Sequence, residues 1–133
     1  MSDLLPFPPP PDAELADCYR IPLVDRPAWY FDLAEELYYN APQDHKVAAG
    51  MVCRLSIEMH VRALCRHSCR PIGQLIERLR KQNILDAEGL RDLRACWRIG
   101  NRLVHGYRTK FDRIALLMVG TAGFISETKG GPR

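Results

Sequence analysis

The sequence predicts an all-α protein, an antiparallel up-down bundle of about five helices. Three observations predict it. Apolar residues recur at three- and four-residue spacing from Pro27 to Ile125, no useful length alternates as a strand does, and Pro or a capping Asp marks helix starts at short intervals. Consecutive helices on short loops become antiparallel neighbours. The 133 residues make one domain, with 47% apolar and 26% charged side chains, the balance of an ordinary soluble globular chain. No apolar run approaches the roughly 18 residues of a membrane span. No charged-then-apolar leader opens the chain, so the expected location is cytoplasmic, with no membrane partner.

Residues 1–12 carry four consecutive prolines and read as a disordered, extended tail, a spacer or mobile arm rather than a docking motif. The bundle is expected over residues 13–128, with a frayed C-terminus at 129–133. Pro27 suits a first helical position, and Trp29, Leu33 and Leu37 with Tyr30, Ala34 and Tyr38 recur through Asn40. Pro42 opens a second helix expected to reach about Cys69. Its apolar positions (Val47, Ala48, Met51, Val52, Leu55, Met59, Val61, Leu64) cover more than one stripe, which places it mid-bundle. Pro71 starts a shorter helix with Ile72, Leu75, Ile76 and Leu79 inward. Asp86 caps a fourth helix whose core stripe reads Leu90, Leu93, Trp97, Val104 and Tyr107. Thr109 and Asp112 resemble a capping box opening a fifth helix, apolar at Phe111, Ile114, Leu117, Met118, Ala122 and Ile125.

Five cysteines, an odd number, argue for reduced thiols. Cys65, His67 and Cys69 cluster, and Cys53, His60 and His67 fall seven apart, but one helix face cannot easily offer the four converging ligands of a zinc site. Buried small hydrophobes are the better reading of the thiols, and neither metal nor cofactor is expected. His60 and His67 read as structural or exposed, and His45 near a helix start carries little.

Charge is distributed unevenly. Residues 1–48 hold nine acids against three bases, and the remainder reverses the balance; fifteen of the nineteen bases are Arg. The asymmetry favours self-association or an acidic partner. On the fourth helix, Arg91, Arg94, Arg98, Asn101, Arg102, His105 and Arg108 project within an arc of roughly 120° at about 100° per residue. Like charges at i,i+4 repel, and only Asp92 alternates among them, which is odd for a face selected for stability alone. Arg98 and His105 lie two turns apart. An imidazole can take a proton from a ribose 2′-hydroxyl, and a guanidinium can hold the phosphate and stabilise developing charge. Arg94, Arg102 and Arg108 would bind flanking phosphates. Taken alone, such a pair fits a solvated basic face with a satisfied histidine better than a catalytic one.

The run Arg98-Ile99-Gly100-Asn101-Arg102-Leu103-Val104-His105-Gly106-Tyr107 resembles the signature of the HEPN superfamily, small helical bundles marked by Arg, four to six residues, then His. Its end is similar to that of HEPN toxins, whose motif continues His-x-Tyr, and the likeness spans about residues 43–127. The resemblance implies a homodimer that cuts single-stranded RNA without metal, with Arg98 and His105 catalytic and Asn101 orienting them. It also implies a toxin or defence role, and Tyr107 as the hydroxyl that a nucleotidyltransferase antitoxin would adenylylate. Tyr107 as core packing remains the plainer reading of its position. One departure stands out: toxins closest to this wording carry Arg where this chain has Gly100. A mid-helix glycine costs about 1 kcal/mol against Ala and signals close approach of another backbone. That approach could be the dimer contact, or it could mark a branch that binds nucleotide, RNA or protein without cutting. A helical interaction protein that holds a partner through its proline arm and acidic N-terminal part is a third reading.

Overall fold

A computed structural model describes residues 27–40, 46–66 and 68–128. They form five helices and no strand: α1 Pro27–Asn40, α2 Lys46–Leu64, α3 Ile72–Lys81, α4 Ala87–Val104 and α5 Phe111–Glu127. The proline-rich tail, the acidic stretch before Pro27, Pro42 and the residues after Thr128 lie outside the described set. Pro27 opens α1 as its fixed φ suggests, and Asp86 caps α4 by accepting from the Gly89 amide at 2.7 Å. The second helix stops at Leu64 rather than near Cys69. Arg66 enters the left-handed region at φ 57°, which a continuing helix cannot accommodate.

As its wide apolar surface predicts, α2 touches each of the other four helices. Its innermost positions are Ala49, Gly50, Cys53, Ser56, Ile57 and Val61, whereas Val47 and Met51 reach solvent. Around this axis close Leu75 and Leu79 of α3, Leu93 and Leu103 of α4, and Ile114, Leu117 and Phe124 of α5.

Contacts give the directions of three helices. Gly50 meets Leu103 while Arg54 meets Gly100, so α2 and α4 run oppositely. Gly50 also meets Ile114 and Leu117, the Cys53 thiol donates to Thr121 Oγ1 at 3.1 Å, and His60 meets Thr128, so α2 and α5 run the same way. A strict up-down alternation would set α2 and α4 parallel. They are antiparallel instead, and α3, which connects them, has ten residues against 19 in α2 and 18 in α4.

Cys53, Cys65 and Cys96 are buried as small hydrophobes, whereas Cys69 is exposed and Cys18 lies outside the described residues. Burial pushes the Cys53 thiol up to about 12 and the Cys96 thiol up to about 11. Among the described residues no three His, Cys, Asp or Glu side chains group as a metal would need, and no helix is long and apolar enough to cross a membrane.

His60 pins the far end of the α2–α5 seam. Thr128 gives its hydroxyl hydrogen to the Phe124 carbonyl at 2.6 Å, so its oxygen accepts from His60 Nε2, also at 2.6 Å, and the ring lies edge-on to Phe124. Burial lowers the imidazole from 6.5 to about 4. The unfolded chain therefore binds a proton that the folded chain refuses. The His60 contribution is fully present above pH 6.5 and erodes as pH falls from 6.5 toward 4, by on the order of 3 kcal/mol in all. Urea unfolding between pH 8 and 5 should show about 2 kcal/mol of this loss, with the slope below pH 6.5 absent in His60→Gln.

Candidate functional site

Helix α4 exists as an amphipathic rod because Leu90, Leu93, Cys96, Gly100 and Leu103 fall on one side and face the core. This stripe differs from the expected one. Val104, the last helical residue, is 38% exposed, and Tyr107, beyond the helix end, is 60% exposed. The end is a Schellman turn. Gly106, at φ 80°, lets its own amide donate to the Leu103 carbonyl at 3.1 Å, and the Tyr107 amide donates to the Arg102 carbonyl at 2.9 Å. His105 becomes the C-cap, so Arg108 is not on the helical face to which it projects. It belongs to the α4–α5 corner.

The corner also differs from a capping box. Lys110, not Thr109, caps α5, with no side-chain bond to the helix, and Thr109 Oγ1 donates instead to the Tyr107 carbonyl at 3.2 Å. Phe111 is 42% exposed and Ala122 also faces solvent, leaving Ile114, Leu117, Met118, Thr121 and Phe124 as the inward set of α5.

Gly100 has a structural explanation. A Cβ there would lie 2.8 Å from Arg54 Cβ and 2.9 Å from Arg54 Cγ. The close approach is thus the stem of an arginine on α2 within the same chain, not another backbone. Arg54 uses its position fully: Nε donates to Asn101 Oδ1 at 2.9 Å, the guanidinium lies 4.3 Å from the centre of the Trp97 ring, and Nη1 is 3.6 Å from Glu58. Asn101 is therefore tied to α2 by its carbonyl, which leaves the NH2 end for a ligand. Arg62 also pairs with Glu58 and donates to the Ser68 and Arg70 carbonyls at 3.0 and 2.9 Å, holding the turn toward α3.

The expected site residues divide into three groups. Arg91 and Arg94, toward the start of α4, are matched by Glu88 and by Glu77 of α3, so Arg94 is not a free phosphate ligand. Arg98, Arg102 and Arg108 line one cleft of about 520 Å³ together with Lys110 and Arg113, and Asp112 is its single carboxylate. None of these five cations forms an ion pair with another described residue. Arg98 and Asn101 border a second cleft of about 370 Å³ with Trp97 and Arg94. His105 is exposed and lines neither cleft.

Arg98 and His105 share a face, seven residues and so about 10 Å apart along the axis. The arrangement can bind phosphate oxygens through Arg98 and can exchange a proton through His105.

Sequence reasoning missed Arg54, Lys110 and Arg113. Arg54 could have been sought as the base in the middle of a broadly apolar helix, with an unexplained glycine elsewhere in the chain to receive it. Lys110 and Arg113 could have been sought as cations at a helix N-terminus, where the macrodipole disfavours them.

No family model, curated protein or solved structure matches the chain.

The Gly100 contact makes a sign prediction. On propensity alone Gly100→Ala would stabilise α4 by about 1 kcal/mol. Overpacking against the Arg54 stem, which is anchored at three points, should reverse this to a net loss of about 1–2 kcal/mol in urea unfolding. A gain in stability would show that the two helices are not in close contact at this point.

Proposed function

We propose that the protein is a metal-independent endoribonuclease of the HEPN type that cuts single-stranded RNA as a homodimer, in a toxin or defence role. One observation supports this most. The two residues of the Arg-x6-His pattern are both exposed at the C-terminal end of α4, beside a cleft whose five cations have no carboxylate partner among the described residues. A surface kept only for stability would pair such charges, as the other end of the same helix does.

On this reading His105 takes the proton of a ribose 2′-hydroxyl, and the alkoxide attacks the adjoining phosphorus. Arg98 pairs with the non-bridging oxygens, where negative charge grows. The bond to the 5′-oxygen breaks, and that oxygen leaves as a hydroxyl after receiving a proton from an imidazolium. The products are a 2′,3′-cyclic phosphate and a 5′-hydroxyl end. Asn101, fixed by Arg54, orients the phosphate from its NH2 end. Within one copy His105 stands apart from the cleft that Arg98 lines, which suits a site completed by a second copy. Tyr107, an exposed residue, would accept adenylate from a nucleotidyltransferase antitoxin and so silence the enzyme.

The second reading is a module that binds nucleotide, RNA or a protein without turnover. What favours it is the same separation of His105 from the cleft. Gly100 no longer favours it, because packing on Arg54 accounts for the glycine.

A labelled single-stranded RNA incubated in EDTA tests the proposal. Wild type should cut it, while Arg98→Ala and His105→Ala, both exposed positions, should remain folded and lose at least a hundredfold in rate. Undiminished cutting by His105→Ala would refute the mechanism. An inactive wild type that still binds RNA would transfer the conclusion to the second reading.

A further inference from the structure

The cleavage step itself gives no role to the Tyr107 ring or to the start of α5. The tyrosine follows the Schellman turn, so its ring stands out from the bundle at 60% exposure. The Arg102 guanidinium lies 5.0 Å from the ring centre. One face of the ring is thereby backed by a cation, and the exposure leaves the other to solvent. Next in sequence come Arg108, Lys110 and Arg113, all exposed and all lining the 520 Å³ cleft; Tyr107 does not line it, and Arg102, which lines the cleft and lies over the ring, joins the two.

Two of those cations sit where elementary electrostatics disfavours them. Lys110 is the N-cap of α5 and Arg113 lies in its first turn, at the positive end of the helix dipole, and no side chain caps that turn. Asp112 is the sole acid among them. An anion held between Arg108, Lys110 and Arg113 would relieve both the mutual repulsion and the unfavourable dipole interaction.

We infer that the α4–α5 corner is a binding track for a single-stranded polynucleotide, in which a base stacks on Tyr107 and Arg108, Lys110 and Arg113 hold the adjoining phosphates. It deepens the nuclease reading and rests on it for the choice of a ribonucleic strand. The two halves of the track require each other. An open aromatic face beside a row of cations matches a ligand that alternates flat rings with phosphates, and only an unpaired strand presents a base face to such a ring. An acidic peptide would satisfy the cations but leave the ring unused. An anionic membrane would satisfy the cations and take the ring at its headgroups, but it offers no flat base to stack on that ring.

Fluorescence anisotropy of a labelled single-stranded oligodeoxyribonucleotide tests the track on the full-length protein, in EDTA and across a salt series. DNA lacks the 2′-hydroxyl, so binding is read without cleavage. Tyr107→Ala should weaken binding about 5- to 100-fold, while Tyr107→Phe, which keeps the ring, should bind as wild type does. The double variant Lys110→Gln/Arg113→Gln should lower the slope of log affinity against log salt by about 1.4. A hairpin duplex of the same length should bind more weakly than the single strand.

Four results would overturn the inference: no binding at low salt, equal binding of the duplex, an unchanged salt slope in the double variant, or a Tyr107→Phe protein as weak as Tyr107→Ala. Capture by phosphatidylserine vesicles with the same dependence on Lys110 and Arg113 would overturn it in favour of a membrane surface. Cleavage of RNA, measured in parallel, separates the two proposals. DNA binding through Tyr107 without RNA cleavage leaves the track standing and removes the nuclease. RNA cleavage with variant-independent binding does the reverse.

Discussion

The arrangement of the molecule depends on how closely α4 is allowed to approach α2. At Gly50 the side chain of Leu103 fills the space a Cβ would take, and at Gly100 the stem of Arg54 does the same from the opposite helix. The two glycines make a reciprocal pair of contacts about one turn apart. Each costs its helix about 1 kcal/mol of propensity, and the compensation is packing at distances no alanine would permit. Because of that approach Arg54 can reach Asn101 and lie on Trp97. A basic side chain on the central helix thus fixes the rotation of α4, and with it which residues α4 shows to solvent.

The second constraint is electrostatic. Along α4 the cations change from matched to unmatched: Glu88 and Glu77 serve the first half, and no carboxylate among the described residues pairs with the second. Exposed ion pairs contribute little energy singly, so what the matched half gains is chiefly relief from repulsion between neighbouring cations. The contrast matters more than the pairs do. It concentrates positive charge where the helix ends, where the Gly106 turn redirects the chain, and where α5 begins. Three local structures that sequence patterns treat separately (a helix terminus, a tight turn and an N-terminal turn) thereby build one basic concavity.

Much of the fold was legible in the sequence because its signals are local. Pro27 and Asp86 mark helix starts by φ restriction and by side-chain capping, and the inward set of α3 follows from spacing alone. The central place of α2 follows from its broad apolar surface. What was not legible depended on ends and on partners. Projecting α4 through Arg108 ignored that Gly106 can adopt a left-handed φ that stops the helix, so Tyr107 was assigned to the core and Arg108 to the helical face. The glycine at 100 was readable as a sign of close approach, but the approaching group sits 46 residues away in sequence, and no local rule points to Arg54. The site divides in the same way. Arg98, Asn101, Arg102 and His105 could be placed on one face by angle, whereas the neutralisation of Arg94 by Glu77 and the recruitment of Lys110 and Arg113 require the tertiary arrangement.

The central functional claim is that the end of α4 handles RNA through its 2′-hydroxyl. It is tested most directly with an oligoribonucleotide whose 2′-hydroxyls are all O-methylated, offered beside the unmodified strand. The strand should bind with similar affinity, remain intact in EDTA, and compete with cleavage of its unmodified counterpart. Cleavage of the methylated strand at the unmodified rate would contradict transesterification by Arg98 and His105 and require a different chemistry.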